Sequence, residues 1–246
     1  MKETGAIIAA GGIGKRLGKN QPKALIKIGA YPMFIYPLMV FQSLKNEIGP
    51  IVLVTPSGWG ERFAMAIKKA GLKEPYAIVD GGPRRQDSVR FGLRAIPEDM
   101  EYVLIHDAAR PFTIPKQVKE LIKLVKRDGA ASVASRVRDT LRIGDDISEM
   151  ICLGKAVNRE NLWALGTPQG FRYPEILRAH ERAQRYGNEV TDDTQLVSKG
   201  RKIGVLEVDM LNFKITYPED IEFAVSLIPI WKKRSSGWTS VNLSMG

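Results

Sequence analysis

The sequence predicts an α/β protein whose mostly parallel sheet is covered by helices on both faces. Short apolar runs alternate along the chain with amphipathic helical patterns, and glycine or proline residues separate them. The apolar runs are nearly continuous, which is typical of strands buried on both faces of a parallel sheet. The 246 residues, 44% of them hydrophobic, are enough for one large domain.

The first half of the chain carries the clearest alternation. Each apolar run is ended by a turn former, such as Pro56 after the second run and Gly81 after the third, and Gly71 ends the first helical pattern. The predicted elements are, in order, the strands Gly5–Ala10 and Ile51–Thr55, the helix Trp59–Ala70, the strand Tyr76–Val79, the helix Ser88–Ile96 and the strand Tyr102–His106.

The second half begins with a helix, because Val118, Leu121, Ile122 and Val125 recur at the spacing of a face that packs on a core. The other predicted elements are the strand Ala130–Ser135, the helices Pro174–Tyr186 and Asp192–Ser198, the strands Ile203–Val208 and Phe213–Thr216, and the helix Pro218–Leu227. We therefore expect a single domain over residues 1–230.

Two segments depart from this alternation. Residues 136–160 are charged, with β-like flanks around Gly144-Asp145-Asp146, and these features predict a hairpin arm that protrudes from the main sheet. From Trp231 onward the apolar pattern fades, so we expect a loose tail over residues 231–246.

Composition restricts the function. The single cysteine, Cys152, excludes a disulfide framework and a cysteine zinc cluster. The apolar run Ala6–Ala10 is too short for a signal peptide or a membrane span, so we expect a cytoplasmic protein. Lys and Arg number 37 against 27 Asp and Glu, and this charge of +10 suits a nucleic acid, an anionic membrane surface or an anionic small substrate.

A glycine-rich turn, Ala9 to Gly18, follows the first strand. It is not a P-loop, since Ala9 and Arg16 stand where that motif needs Gly and Ser or Thr. A dehydrogenase of the short-chain type is disfavoured because no tyrosine is followed four positions later by lysine. A nucleotidyltransferase-like triphosphate site fits better, because glycines let backbone N–H groups approach phosphates and Asp107 follows the Tyr102–His106 strand as a candidate Mg²⁺ ligand.

Further motifs connect the chain to a known family. They are His106-Asp107-Ala108-Ala109-Arg110-Pro111, Asp80-Gly81-Gly82 with Arg85 and Ser88, Val137-Arg138-Asp139-Thr140, Asn158-Arg159, Thr167-Pro168-Gln169, Thr191-Asp192-Asp193 and Asn212-Phe213-Lys214-Ile215-Thr216. In this order, from about Ile7 to Ala224, the chain resembles the 2-C-methyl-D-erythritol 4-phosphate cytidylyltransferases of the non-mevalonate isoprenoid pathway.

The resemblance implies a Rossmann-like, glycosyltransferase-A-like nucleotidyltransferase fold and a reaction between CTP and a sugar-alcohol phosphate that releases pyrophosphate. It implies Mg²⁺ as cofactor and a homodimer in which the arms hook around each other. The implied catalytic residues are Arg16, Lys23 and Lys214. The implied nucleotide-binding residues are Ala9, Ala10, Gly11, Gly12, Gly14, Gly82, Ser88, Asp107 and Ala108. The implied acceptor-binding residues are Arg110, Thr140, Arg159, Thr167 and Thr191. Asp107 is the expected metal ligand, with Asp209 as a second.

Alternatives remain at this point. Ribitol-5-phosphate cytidylyltransferases share most of these motifs, and one methyl group in a pocket is worth only about 1–3 kcal/mol. Lys232-Lys233-Arg234 with Trp231 and Trp238 is the only cluster suited to nucleic acid, and a solubilising end is the preferred interpretation. We therefore expect no nucleic-acid partner and no membrane partner. We interpret His106 as a buried strand-end residue rather than a general base, and His180 as a surface residue.

Overall fold

The computed structural model describes residues 3–12, 14, 21–147, 150–197 and 201–236, with the backbone alone at 145–147, 150 and 151. The strands are β1 (Thr4–Ala9), β2 (Lys27–Ile28), β3 (Tyr31–Pro32), β4 (Ile51–Thr55), β5 (Ala77–Asp80), β6 (Tyr102–Asp107), β7 (Ala130–Arg136), β8 (Leu141–Ile147), β9 (Met150–Val157), β10 (Trp163–Arg172) and β11 (Gly204–Glu207). The α-helices are α1 (Ile35–Ser43), α2 (Gly60–Lys69), α3 (Arg85–Ala95), α4 (Pro115–Asp128), α5 (Tyr173–Tyr186) and α6 (Glu219–Ser235).

The main sheet has seven strands in the order β11-β7-β10-β6-β1-β4-β5. All neighbouring pairs are parallel except those of β10, which runs antiparallel to both β7 and β6. In the β1–β6 pair, Ala9 is the register partner of Asp107. The ends of these two strands therefore place the glycine-rich turn beside the predicted metal ligand.

Helices cover both faces of the sheet, as predicted. Successive side chains of a strand point to opposite faces. Accordingly Ile7 packs with Val89 and Ile176 of α3 and α5, whereas Ile8 belongs to the core formed with α1 and α4. The fold class predicted from the sequence is confirmed.

Several predicted elements need correction. Phe213–Thr216 is not a strand; Ile215 is buried and its N–H donates to the carbonyl of Ala109. The Asp192–Ser198 helix is reduced to a 3₁₀ turn over Asp193–Leu196. Helix α1, the small β2–β3 hairpin and the central strand β10 were not predicted at all.

The arm is a β8–β9 hairpin, in agreement with the prediction, but its turn lies elsewhere. Ile147 pairs with Met150, so the chain reverses at residues 148–149, and Gly144 belongs to β8. Strand β10 begins shortly after the arm and continues its return path into the main sheet.

The expectation of a loose tail from Trp231 is wrong for the residues that the structure describes. Helix α6 runs to Ser235 through Pro229, and Trp231 is 1% exposed. Its indole contacts Tyr36 edge-on, and its Nε1–H donates to the carbonyl of Thr113 at 2.9 Å. A buried Trp231 offers no platform for stacking bases, which removes one of the two aromatic residues of the basic and aromatic cluster described above. Residues 237–246 lie outside the described part of the chain.

Over the described ranges, no helix is both long and apolar enough to cross a membrane.

Candidate functional site

A cleft of about 480 Å³ opens at the carboxyl ends of β1, β5 and β6. It is lined by Ala9, Ala10, Gly11, Gly12, Gly14, Lys23, Ala24, Gly82, Pro83, Arg84, Arg85, Ser88, Asp107, Ala108, Ala109, Lys214 and Thr216. Every residue predicted to bind the nucleotide is in this group, and so are the predicted catalytic residues Lys23 and Lys214. Arg16 lies outside the described residues.

The glycine-rich turn forms one wall of the cleft. The N–H of Ala10 still donates to the carbonyl of Val54, and beyond it the carbonyl of Gly12 accepts from the N–H of Lys23 at 3.1 Å. Gly14 has a φ of +71°, and a Cβ there would lie 2.9 Å from the Cβ of Lys23. Glycine is therefore required at Gly14, and the turn brings Lys23 to the wall of the cleft.

Ser88 lies on the opposite wall, within the first turn of α3. It is not the N-cap residue, which is Arg84. The Oγ of Ser88 accepts from the N–H of Gly82 at 3.1 Å and contacts the carbonyl of Arg84 at the same distance. A Cβ on Gly11 would come within 3.0 Å of this hydroxyl. Ser88 thus fixes the Gly82 loop and sets the spacing between the two walls.

Asp107 is the centre of the charged part of the site. Its Oδ1 lies 2.9 Å from Nε of Arg85, and its Oδ2 lies 2.7 Å from Nζ of Lys214. Although burial opposes ionisation, the adjacent Arg85 and Lys214 hold the pKa of Asp107 well below its usual range. The carboxylate is therefore ionised at neutral pH, with one cation beside each of its two oxygens.

Two buried residues hold Asp107 from behind. The N–H of Asp107 donates to Oγ1 of Thr167 at 3.0 Å, and that hydroxyl is 3.2 Å from Nδ1 of His106. Nε2 of His106 faces the carbonyl of Arg110 at 2.9 Å. Since a carbonyl only accepts, Nε2 carries the hydrogen and Nδ1 accepts from Thr167. Burial lowers the pKa of His106 to about 4, so the ring is neutral and structural, as predicted.

Arg110 is held beside the cleft rather than in its lining. Its Nη1 donates to the carbonyl of Asn212 at 2.6 Å and its Nη2 to that of Leu165 at 3.1 Å. Asn212 in turn donates from Nδ2 to the carbonyl of Thr167 at 2.9 Å. The loop that carries Lys214 is therefore tied to β10 and to the end of β6.

Other predicted residues are not brought together within the chain. Thr140 and Arg159 are exposed at the base of the arm, and Arg159 donates to the carbonyl of Arg138. The Oγ1 of Thr191 accepts from Gln195 at 2.8 Å. The hydroxyl of Thr167 is buried, and its partners are the N–H of Asp107 and Nδ1 of His106. Among the described residues, none of these four lines the cleft.

Asp209 also lies outside the group that lines the cleft. One of its carboxylate oxygens accepts from the N–H of Leu211, and the other pairs with Arg234 of α6 at 2.5 Å. As the cap of a 3₁₀ turn with its own cation, Asp209 is a structural residue, and the prediction of a metal ligand there is not supported.

The sequence reasoning missed Arg85 as a site residue, although it lies in a quoted motif. Besides Asp107, its guanidinium contacts Asp193, whose Oδ2 is 2.9 Å from Nη2. His180 is also different from the prediction: it is fully buried, with Nε2 3.2 Å from Oδ1 of Asp193. The sequence feature that could have identified Arg85 as a site residue is its position directly after the Gly82 loop, at the start of α3.

The donor set decides how a divalent cation fits. No group of three or more His, Cys, Asp or Glu residues is close enough for a metal in the parts of the chain that are described. Among the described residues that line the cleft, Asp107 is the only one with a carboxylate, and that carboxylate is ionised. Mg²⁺ is often bound by one or two carboxylates with substrate phosphates and water as its other ligands. The site therefore fits Mg²⁺ that arrives with a phosphate substrate.

The geometry suits a polyphosphate ester. Glycine backbone, Lys23, Arg85 and Lys214 provide N–H donors and positive charge along the cleft, and Gly82 and Ser88 form the facing wall. In the described part of the lining, no side chain combines a nucleophile with an adjacent general base, so the arrangement favours electrostatic catalysis of a phosphoryl or nucleotidyl transfer.

Comparison with known proteins gives a consistent result. The family model of 2-C-methyl-D-erythritol 4-phosphate cytidylyltransferase matches residues 4–229. The protein of that name from Geobacillus thermodenitrificans is 38% identical over 91% of this chain and 96% of its own. The one from Alkaliphilus oremlandii is 36% identical over 93% and 96%.

Solved structures agree. The 2-C-methyl-D-erythritol 4-phosphate cytidylyltransferase from Thermus thermophilus superposes with a TM-score of 0.74 at 31% identity, over 92% of this chain and 98% of its own. The 4-diphosphocytidyl-2C-methyl-D-erythritol synthase from Anaerococcus prevotii gives 0.76 at 28% identity, over 93% and 99%.

Proposed function

This chain belongs to the 2-C-methyl-D-erythritol 4-phosphate cytidylyltransferase family, and from that membership we propose how its cleft performs the reaction. The enzyme joins CTP to 2-C-methyl-D-erythritol 4-phosphate in the non-mevalonate route to isoprenoids. The products are the CDP-linked alcohol and pyrophosphate. The observation that carries the residue assignment is the Asp107–Lys214 pair at the rim of a glycine-lined cleft.

In the proposed mechanism, an oxygen of the acceptor phosphate attacks the α-phosphorus of CTP in line. A new P–O bond forms as the bond to the β-phosphate oxygen breaks, and its electron pair leaves with pyrophosphate. The attacking phosphate is already an anion, so no general base is needed. Negative charge grows on the five-coordinate α-phosphate, and fixed cations stabilise it without reorganising.

The chain supplies those cations from two sides. Lys23 reaches the triphosphate from the glycine-rich turn, and Lys214 reaches the α-phosphate from the loop before α6, with Asp107 fixing its ammonium group. Arg16, by its place in the family motif, completes the clamp. The cytosine lies between the Ala9–Gly11 backbone and the Gly82–Ser88 wall. Mg²⁺, held by Asp107 and the CTP phosphates, would neutralise phosphate charge and orient the leaving pyrophosphate.

We propose that the acceptor site is completed by a second copy of the chain. Thr140 and Arg159 are exposed on the arm and do not line the cleft of their own chain, as far as the described residues extend. The arm also exposes Ile143 and Leu153, at 51% and 70%. An arm that hooks around a partner would cover these side chains and carry Arg159 to the partner's acceptor phosphate.

A complementation assay tests this arrangement. Arg159→Ala and Lys214→Gln subunits are each expected to be inactive alone. Mixed at random they form hybrid dimers in which one of the two sites is intact, and about one quarter of the parent activity should return. Full activity of Arg159→Ala alone, or no recovery on mixing, would contradict the shared site.

Because the reaction consumes CTP, we propose that it takes place in the cytoplasm.

The activity itself is tested by pyrophosphate release with CTP, 2-C-methyl-D-erythritol 4-phosphate and Mg²⁺. We expect UTP, ATP and GTP to be poor substrates and Mg²⁺ removal to abolish turnover. Ribitol 5-phosphate in place of the methylerythritol phosphate is the decisive comparison. A clear preference for ribitol 5-phosphate, or no pyrophosphate release with any acceptor, would overturn the assignment.

A further inference from the structure

A chain of polar contacts extends from the cleft into the protein interior. It begins at Lys214 and Asp107, passes through Arg85 to Asp193, and ends at His180. The last two residues are fully buried and belong to the 3₁₀ turn and to α5, away from the cleft lining. The proposed reaction uses neither of them directly.

Arg85 is the link between the cleft and this interior. Its Nε lies 2.9 Å from Oδ1 of Asp107, and its Nη2 lies 2.9 Å from Oδ2 of Asp193. The two carboxylates come from different elements, one at the end of β6 and one in the 3₁₀ turn. The contact with Asp107 is a hydrogen bond and the contact with Asp193 is an ion pair, so the planar guanidinium is restrained at two of its nitrogens.

The burial of Asp193 calls for an explanation. A carboxylate removed from water costs several kcal/mol unless cations or donors surround it, and an apolar residue is often no less stable in such a place. Burial opposes the ionisation of Asp193, yet Arg85 and His180 hold its pKa below the usual value. The anion is therefore retained in the interior by two specific contacts.

Asp193 also changes what Arg85 does at the cleft. If Asp193 were neutral, Arg85 would be held by Asp107 alone and could swing towards a bound phosphate. With Asp193 ionised, Arg85 stays on Oδ1 of Asp107 and leaves Oδ2 to Lys214. The orientation of the carboxylate, and through it the place of the Lys214 ammonium, then depends on residues that do not reach the substrate.

We propose that Asp193 and His180 are positioning residues, which hold Arg85 so that Asp107 presents Lys214 to the α-phosphate of CTP. This inference rests on the proposed function. It adds two residues that support the cleft from the protein interior. Asp193 acts through Arg85, and His180 acts by holding the second oxygen of Asp193.

The test is steady-state kinetics of Asp193→Asn, which keeps the shape of the side chain and removes its charge. Misplacement of a catalytic group by about 1 Å costs on the order of 100-fold, so we expect kcat to fall about 10- to 100-fold. The KM for CTP should change by less than about three-fold, because the cations that bind the ground state remain. A role limited to stability would lower the melting temperature and leave kcat of the folded protein unchanged.

A double-mutant cycle sharpens the test. Arg85→Lys can contact only one of the two carboxylates, and combined with Asp193→Asn it should cost no more in kcat than the worse single variant. If the two residues acted independently, the double variant would show the product of the two single losses in kcat. The matched control is Arg94→Gln, which removes an exposed ion pair to Glu181. This pair also connects α3 with α5, and the kcat of the control should stay within about two-fold of the parent value.

Each outcome is decisive. If the parent releases pyrophosphate and Asp193→Asn keeps its kcat within about two-fold, or the cycle is multiplicative, the positioning role is overturned while the proposed function stands. If the parent fails with every acceptor, the proposed function falls instead. Should Asp193→Asn not fold, His180→Gln is assayed in the same way, and an unchanged kcat in that folded variant overturns the proposal.

Discussion

The ammonium group of Lys214 lies 2.7 Å from Oδ2 of Asp107, so the end of β6 and the loop before α6 share one charged pair at the rim of the cleft. The two residues are 107 positions apart. The lysine is 41% exposed and the aspartate 10%, so the pair has one member on each side of the boundary between interior and cleft. Because Lys214 faces the cleft and Asp107 keeps Arg85 as a second cation, the charge of Lys214 contributes mainly to the electrostatic field that a substrate encounters.

Lys214→Gln should therefore reduce kcat/KM by about 100- to 1,000-fold, as loss of one preorganised donor to a developing oxyanion typically does. Its free energy of unfolding should change by less than about 1 kcal/mol. Pyrophosphate release and urea denaturation measure the two effects. Lys116→Gln, which removes an exposed lysine of α4 with a long contact to Glu120, is the control. Full activity of Lys214→Gln would remove this residue from the mechanism.

His106 should make the protein less stable in mild acid. Its pKa is about 4 in the folded state against about 6.5 for an ordinary histidine, so the unfolded chain binds the extra proton between these values. The stability that it contributes is present above pH 6.5 and is lost as the pH falls towards 4, by about 3 kcal/mol in all. His106→Gln, which still offers a donor to the carbonyl of Arg110, should lack this part of the pH dependence. Urea unfolding at a series of pH values measures it, and parallel curves for the two proteins would show that the prediction is wrong.

Two glycines of the cleft should respond differently to alanine. A Cβ on Gly82 would lie 2.4 Å from the Cβ of Asp87, whereas one on Gly12 meets nothing within 4 Å. Gly82→Ala should cost about 1–3 kcal/mol of stability through overpacking, and Gly12→Ala less than about 0.5 kcal/mol. Thermal and urea unfolding of both variants tests this. Equal losses would mean that the walls of the cleft are not packed as described.

Trp231 should be one of the most sensitive core positions. It is 1% exposed and packs on Tyr36 and Phe112, so Trp231→Ala should cost about 3–5 kcal/mol. The adjacent Ile230 is 49% exposed, and Ile230→Ala should cost less than about 1 kcal/mol. Urea midpoints at constant slope give both values. A small loss at Trp231 would restore the expectation that the chain is loosely packed beyond residue 230.

The elements that could be predicted from the sequence are those specified by their own residues. Strands β1, β4 and β6 are buried on both faces, so their apolar runs mark them to within a residue. Helix α1 is buried from Ile35 to Phe41 and has no polar face, so periodicity gives no sign of it. Strand β10 contains glycine, proline and polar residues and is specified by its neighbours β6 and β7 instead.

The site shows the same division. The glycine-rich turn, Lys23, Asp107 and Lys214 belong to short motifs, and the structure brings them to one cleft. The contact of Arg85 with Asp193 joins elements far apart in sequence, and the contact of Asp193 with His180 crosses the loop between α5 and the 3₁₀ turn. No spacing rule predicts either pair. His180 lies on the buried face of α5, an amphipathic helix of the usual kind. Only the fold shows that its partner is the buried carboxylate of Asp193.

Strand β10 has a mechanical consequence. Its outer part, at Trp163–Leu165, pairs with β7 and leads back to the arm, and its inner part, at Gln169–Phe171, is clamped between β7 and β6. A register shift separates the two parts, and Thr167 lies within it. The part of β10 that leads to the arm is thus paired along one edge, and the part that leads to α5 is paired along both. The hydroxyl of Thr167, which accepts from the N–H of Asp107, lies at the junction, so the arm and the charged pair of the cleft are connected through a single strand.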